Sequence, residues 1–294
     1  MEKLKATFYL HALGDGIGEF PHLLVEDGPI PPTDDTVMTL ALLEVLVEKG
    51  TYDPQRVAEK YLELYLKGEL QKIGYTTYRA LENFKRTRDW FRAGVIDRRA
   101  AGNGVAMRIA PLGVWSYLKN LPLEEFYENV RKEGYITHRN ELAISGAFAV
   151  AYAIYTNLKE KPRTAGLSVK RTLHILEELG IENPVKGAIE KAFLLYKEGY
   201  NSARALPLLG TSGYIVHTVG SAFFLFLKEG NFLKGMGELL RVGEDTDTIG
   251  AIYGALSGSL RGKGGVPDNL IDRLEVKRKI DRLVEKLERS SKGS

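Results

Sequence analysis

Two short acidic stretches, each directly ahead of an apolar segment, constrain the fold of this chain more than any other feature. The first is Thr33–Thr36 (TDDT), which precedes residues 37–47, and the second is Asp245–Thr248 (DTDT), which precedes residues 249–260. Threonine and aspartate are favoured at helix N-termini, where a carboxylate also interacts with the helix dipole. We therefore predict that both apolar segments are helices and that the acidic stretches form their first turns.

Capping explains one such cluster but not two of nearly the same composition. A cap needs one oxygen, and neighbouring carboxylates repel one another unless a cation compensates them. Four carboxylates with threonine hydroxyls form an all-oxygen ligand set, which suits Mg²⁺, Mn²⁺ or Ca²⁺. Residues two apart on a helix point to nearly opposite sides. Asp245 and Asp247 can therefore share a cation only if they precede the helix proper, at a point where both helix N-termini converge.

Elsewhere the hydrophobic periodicity is helical, and no segment alternates as a strand should. The chain has 294 residues, 44% of them hydrophobic, which is enough for a sizeable core. We predict an all-α, compact, multi-helix single domain over residues 1–289 and a flexible tail at residues 290–294. The predicted helices cover residues 4–17, 33–49, 54–67, 77–93, 122–133, 138–155, 169–179, 184–198, 214–228, 231–241, 248–260 and 274–287, and the first of them is predicted to end in a glycine-rich corner at residues 14–18.

Composition narrows the class of protein. The 41 basic and 38 acidic residues nearly balance, and no basic block exceeds residues 277–279, so we expect no nucleic-acid partner. The chain has no cysteine, which excludes disulfides and thiolate chemistry and favours a cytoplasmic location. The most apolar run, residues 213–227, is too short to cross a bilayer, and no signal peptide is evident, so we expect no membrane association.

A second candidate for chemistry is the loop Gly102-Asn103-Gly104, whose backbone N–H groups could hold a phosphate. It is neither a P-loop nor a dinucleotide-binding fingerprint, because no Gly-Lys-Ser/Thr follows it and no strand precedes it. Taken alone, such a turn is more often a tight connection between elements. His138, predicted to open a helix, is by itself an ordinary surface or buried histidine.

Five blocks taken in order resemble the ADP-ribosylglycohydrolase family, which includes the dinitrogenase-reductase-activating glycohydrolase. These blocks are Gly14-Asp15-Gly16-Ile17-Gly18, Thr33-Asp34-Asp35-Thr36, Gly102-Asn103-Gly104-Val105-Ala106-Met107-Arg108 with Pro111-Leu112-Gly113, Thr137-His138, and Asp245-Thr246-Asp247-Thr248-Ile249-Gly250. Any one of them is weak evidence, but all five in the family's order are specific. They extend over nearly the whole chain.

The resemblance implies a compact all-α fold with two divalent cations, Mg²⁺ or Mn²⁺. The implied metal ligands are Thr33, Asp34, Asp35, Asp245, Asp247 and Thr248. Gly102, Asn103 and Gly104 would hold the diphosphate and ribose of ADP-ribose, with His138 close by. The implied reaction cleaves the N- or O-glycosidic bond of an ADP-ribosylated protein or small acceptor, through a water activated at the cations, with Asp35 and Asp247 as the central catalytic ligands.

One departure from the family pattern concerns a glutamate that the family commonly carries at a position equivalent to His22. Either the loop is re-spaced and Glu19 or Glu26 takes the part, or the catalytic carboxylate is altered; of the two glutamates, we expect Glu19 to assist proton transfer to the leaving group. Two alternatives stay open. One is a hydrolase of the same fold acting on another ribosyl or nucleotide metabolite, and the other is a non-catalytic, metal-stabilised ADP-ribose-binding protein.

Overall fold

Helix caps account for most helix starts in the structure. Thr33 caps the helix that follows the first acidic stretch, because its side chain accepts a hydrogen bond from the backbone N–H of Asp35. Asn140 and Asn183 each accept from two backbone N–H groups in the first turn of the next helix. Asparagine and threonine take this part because a short polar side chain can reach the otherwise unpaired N–H groups.

The computed structural model describes residues 1–292, and the secondary structure of this range is α-helical, without a β-sheet. The helices are α1 (Glu2–Glu19), α2 (Asp34–Lys49), α3 (Pro54–Leu66), α4 (Tyr75–Thr87), α5 (Trp90–Ala93), α6 (Ala110–Lys119), α7 (Leu123–Thr137), α8 (Glu141–Lys159), α9 (Ala165–Glu178), α10 (Pro184–Lys197), α11 (Ser202–Leu209), α12 (Ile215–Lys228), α13 (Phe232–Val242), α14 (Thr246–Arg261), α15 (Asp268–Asp272) and α16 (Lys277–Lys292). The predicted all-α fold is confirmed.

One hydrophobic core holds these helices together as a single compact domain. Buried side chains from every one of the helices named above belong to the same cluster. Helices α8 and α14 contribute buried residues along almost their full length, so they form the centre of the molecule. None of the helices in residues 1–292 combines the length and the apolarity needed to cross a membrane.

The prediction that the first helix ends in a glycine corner at residues 14–18 is wrong, because α1 continues to Glu19. Gly14 and Gly18 face α14 instead. A Cβ atom on Gly14 would lie 2.1 Å from the carbonyl oxygen of Gly250, and one on Gly254 would lie 2.0 Å from that of Leu10. Such distances are far inside van der Waals contact, so only glycine lets the two backbones approach this closely. The packing places the C-terminal part of α1 against the N-terminus of α14.

Several predicted boundaries are also corrected. Residues 77–93 form two helices, because the chain turns at Arg88, whose φ is 55°. His138 does not open a helix but caps the C-terminus of α7, and Asn140 starts α8. The periodicity missed α11 and α15, which are short. Residues 290–292, expected in the tail, are helical, and residues 293–294 lie outside the described residues.

Candidate active site

The first acidic stretch is held in place by Asp15, a fully buried carboxylate on α1. Asp15 accepts hydrogen bonds from the backbone N–H of Thr33 at 2.9 Å and from the hydroxyl groups of Thr33 and Thr36 at 2.5 and 2.6 Å. These bonds fix the turn that presents Asp34 and Asp35. The sequence argument assigned no role to Asp15, although the residue lies inside one of the matching blocks.

The second acidic stretch, at the N-terminus of α14, lies next to the first one. Thr248 donates a hydrogen bond of 2.6 Å to Asp35, a residue 213 positions earlier in the chain. Thr246 donates at 2.7 Å to the carbonyl oxygen of Gly18, which ties the same turn to the end of α1. The two helix N-termini therefore converge, as the ligand-set argument required.

Three carboxylates form the core of the site. Asp15, Asp35 and Asp247 each offer an oxygen atom, and these oxygens lie within 4.8 Å of one another. We call these three residues the carboxylate cluster. Asp34 and Asp245 line the adjacent cavity rather than joining the cluster. Asp245 lies at the N-cap of α14 and accepts from the side-chain amide of Asn103 at 2.5 Å.

The electrostatics of these acids favour a bound cation. Burial raises the pKa of Asp15 to about 7, although hydrogen bonds from neighbouring threonines act to lower it. Burial and the charge of Asp247 raise the pKa of Asp34 to about 6. Burial, followed by the charges of Asp15 and Asp247, raises the pKa of Asp35 well above its ordinary value. Burial and the neighbouring Asp247 raise the pKa of Asp245 to about 7. Crowded acidic groups of this kind are stabilised when a positive charge enters between them.

A divalent cation fits this donor set. Among the described residues, no lysine, arginine or histidine forms an ion pair with any of these five aspartates; Lys72 pairs with Glu19, and Arg99 pairs with Asp97. The oxygens come from carboxylates and threonine hydroxyls, which are the ligands that hard cations prefer. The site could therefore hold a metal, with the carboxylate cluster as its ligands.

A cavity of about 400 Å³ opens beside the carboxylate cluster. The loop Gly102–Gly104 forms one wall, and the backbone N–H of Asn103 anchors it by donating to the carbonyl oxygen of Gly213 at 3.0 Å. Lys72 and Arg99 add positive charge to the lining, and Tyr75 adds an aromatic ring that is 73% exposed. The cavity thus combines acidic groups at one end with cationic and aromatic groups at its rim.

A family model described as ADP-ribosylglycohydrolase matches residues 1–294. The chain belongs to the ADP-ribosylglycohydrolase family. Family membership confirms the predicted class of enzyme, a hydrolase.

Individual relatives agree with this assignment. An uncharacterized protein of Archaeoglobus fulgidus is 30% identical over 87% of this chain and 79% of its own length. The ADP-ribosylarginine hydrolase Tri1 of Serratia proteamaculans is 26% identical over 98% of this chain and 79% of its own. The ADP-ribosylhydrolase ARH3 of Homo sapiens is 27% identical over 87% and 78%. A solved chain of an ADP-ribosylglycohydrolase-related protein complex superposes with a TM-score of 0.71 at 27% identity, covering 99% of this chain and 98% of that one.

His138 and the two candidate glutamates of this ADP-ribosylglycohydrolase-family chain differ in how close they lie to the cavity. His138 is buried and lines the cavity, with its ring against Gly102 and Gly104. Glu19 ends α1 and forms its ion pair with Lys72 at the rim, so it is linked to the cavity through that lysine. Glu26 is exposed. Of the two glutamates, Glu19 therefore stays the candidate for proton transfer.

Proposed function

We propose that this protein hydrolyses the glycosidic bond between ADP-ribose and a protein side chain or small acceptor, with two divalent cations, Mg²⁺ or Mn²⁺, at its acidic site. The observation that carries the proposal is the convergence of two acidic helix N-termini on a cavity whose opposite wall is a glycine loop. An acidic end suits cations and ribose hydroxyls, whereas backbone N–H groups and rim cations suit a diphosphate. ADP-ribose carries both kinds of group.

The carboxylate cluster would hold the cations, with Asp34 and Asp245 completing the oxygen set from the cavity side and the Thr33 and Thr248 hydroxyl groups close by. When bound, divalent cations supply Lewis-acid polarisation and lower the pKa of water. The chain's own contribution is to hold the acids in one geometry. Thr248 fixes one oxygen of Asp35.

Asn103 connects the two halves of the site. Its backbone lies in the glycine loop, while its side-chain amide donates to Asp245 at 2.5 Å and to Thr218 at 3.0 Å. A substrate whose diphosphate lies on the loop therefore has its ribose directed toward the acidic end. In this proposal the anomeric carbon would lie near the carboxylate cluster.

In the proposed reaction, the bond from the anomeric carbon to the acceptor nitrogen or oxygen breaks, and water supplies the new oxygen atom. The transition state has oxocarbenium character, which the surrounding carboxylates stabilise by their negative charge. The attacking water loses a proton and the leaving group takes one up. We assign this relay to the Glu19 carboxylate at the cavity rim, which would accept the proton from water and pass it to the leaving group.

The decisive assay measures free ADP-ribose released from ADP-ribosyl-arginine and from ADP-ribosyl-serine, with Mg²⁺, with Mn²⁺ and with a chelator. We expect release that depends on the divalent cation, and the ratio of the two rates will identify the preferred linkage. Tight binding of ADP-ribose with no release from either substrate would overturn the hydrolase proposal and favour a binding protein.

A further inference from the structure

A fully buried ion pair lies directly behind the glycine loop. Arg108 and Glu133 are both inaccessible to solvent, and the Nε atom of Arg108 donates to Glu133 at 2.6 Å. Tyr61 and Tyr52 donate their hydroxyl groups to the two oxygens of Glu133, each at 3.0 Å. A buried pair is stable only when its hydrogen-bonding groups are satisfied, and here the carboxylate is bonded on both oxygens. The result is a rigid anchor.

Arg108 directs its remaining donors toward the cavity wall. Nη1 donates to the carbonyl oxygen of Gly104 at 2.5 Å, and Nη2 donates to the carbonyl oxygen of Glu133 at 3.0 Å and to the hydroxyl group of Thr137 at 2.9 Å. The anchor therefore holds both the glycine loop and the residue immediately before His138.

The Thr137 hydroxyl group connects Arg108 to His138 through hydrogen bonds. Its oxygen lies 2.8 Å from the Nδ1 atom of His138. Because the oxygen already accepts from Arg108, its single hydrogen needs an acceptor, and Nδ1 is the acceptor that the described residues offer. If Nδ1 carried a proton, the hydroxyl hydrogen would have no partner in a buried place, which is unfavourable.

The other ring nitrogen lies beside the glycine loop. A Cβ atom on Gly102 would lie 3.5 Å from Nε2 of His138, and one on Gly104 would lie 3.2 Å from it. Nε2 therefore points at the glycine loop in the cavity lining. Burial and the nearby charge of Arg108 lower the pKa of His138 to about 3, which agrees with a neutral ring.

We propose that the Arg108–Glu133 pair, acting through the Thr137 hydroxyl, locks His138 as a neutral imidazole that presents Nε2–H to a diphosphate or ribose oxygen of the substrate. His138 is then a fixed hydrogen-bond donor and not a proton acceptor, and Arg108, Glu133 and Thr137 are positioning residues. The identity of the oxygen rests on the proposed function, whereas the tautomer does not.

Nitrogen-15 NMR of histidine-labelled protein tests the tautomer without any substrate. The chain has five histidines, and the signals of His138 are those that disappear in His138→Gln. We expect His138 to show a protonated Nε2 and an unprotonated Nδ1 in the wild-type protein. A protonated Nδ1, or a charged ring at neutral pH, would overturn the proposal, whether or not the protein releases ADP-ribose.

Two variants of Thr137 then test the coupling. Thr137→Val removes the hydroxyl group at nearly constant shape, so the His138 signals should change to a mixture of tautomers; Thr137→Ser should retain the wild-type signals. Tyr52→Phe is the matched control, because it alters the same anchor on the side remote from His138 and should leave the tautomer unchanged.

Kinetics supply the second readout for Thr137. Loss of one oriented donor should raise KM for an ADP-ribosylated substrate about tenfold in Thr137→Val, with recovery in Thr137→Ser. Wild-type KM and a wild-type tautomer in folded Thr137→Val would disprove the coupling. If the wild-type protein cleaves no ADP-ribosylated substrate, the proposed function fails, and the NMR result still decides the tautomer.

Discussion

At the scale of single residues, the site is built from acids that would repel one another without a cation. Asp15 and Asp35 are fully buried, and their carboxylates lie close to that of Asp247. Burial and the neighbouring negative charges therefore both raise the pKa of Asp35. The threonines reduce the cost by donating hydrogen bonds, as Thr248 does to Asp35. These hydrogen bonds orient the carboxylates but do not neutralise them.

Asp247→Asn should abolish cation-dependent release of ADP-ribose, with a loss larger than the roughly 10–100-fold that removal of an outer-shell partner costs. The amide keeps the shape of the side chain but loses the charge that a cation requires. Release of ADP-ribose in the presence of Mg²⁺ or Mn²⁺ measures the effect. Asp268→Asn, the same change at an exposed first-turn aspartate of α15, is the control and should keep full activity. An active Asp247→Asn protein loaded with metal would contradict the assignment.

Cation binding should release more protons at pH 6 than at pH 8. The pKa values of Asp15 and Asp245 are raised to about 7 and that of Asp34 to about 6, so the cation-free groups are partly protonated at pH 6. A cation binds the deprotonated forms, so its affinity should rise between about pH 5 and 8, by roughly tenfold per pH unit for each proton released, and then level off. Calorimetry in two buffers of different ionisation enthalpy counts the protons. Equal heats in both buffers at pH 6 would mean that no proton is released, which would contradict these raised pKa values.

At the scale of elements, the site depends on how closely α1 and α14 approach. Both helices carry cluster residues, Asp15 on one and Asp247 on the other. The glycines of α14 face the backbone of α1, and Gly14 and Gly18 of α1 face α14 in return. Packing of two helix backbones therefore sets the separation of the carboxylates.

Gly254→Ala should destabilise the protein by at least the roughly 1–3 kcal/mol that overpacking of a core costs, because its Cβ atom would lie 2.0 Å from the carbonyl oxygen of Leu10. Gly237→Ala in α13 is the matched control, since no atom lies within 4 Å of the added methyl group. It should stabilise the helix by about 0.5–1 kcal/mol. Urea unfolding measures both, and a neutral Gly254→Ala would show that α1 and α14 can separate freely.

At the scale of the whole molecule, the carboxylate cluster exists only in the folded chain. Asp15, Asp35 and Asp247 lie on three helices, and the contact between Thr248 and Asp35 joins residues 213 positions apart. The unfolded chain cannot hold these oxygens together, so a cation that binds the cluster also stabilises the fold.

Divalent cation at 100 times its Kd should therefore stabilise the wild-type protein by about 2.7 kcal/mol. Thermal unfolding with and without Mg²⁺ or Mn²⁺ measures the gain, and a chelator should reverse it. Asp247→Asn should be insensitive to the cation, and its stability without cation should be no lower than that of the wild type, because one of three close carboxylates is gone. An equal shift in both proteins would locate the cation elsewhere.

Much of this protein was predictable from local sequence. The helix cap at Thr33 and the apolar periodicity determine where most helices form, because a cap and its first turn lie within a few residues. The two acidic stretches likewise indicated that two helix N-termini meet, since no local partner could compensate their charge. The order of the matching blocks indicated the family.

Tertiary structure alone decided the contacts between residues far apart in the chain. Periodicity shows which face of a helix is buried but not which helix covers it, so the glycines of α1 were mistaken for a corner, and Asp15 received no role. For the same reason, nothing in the sequence paired Arg108 with Glu133 or linked that pair to His138. Hydrogen bonds and close backbone contacts of this kind depend on distances that only the assembled helices create.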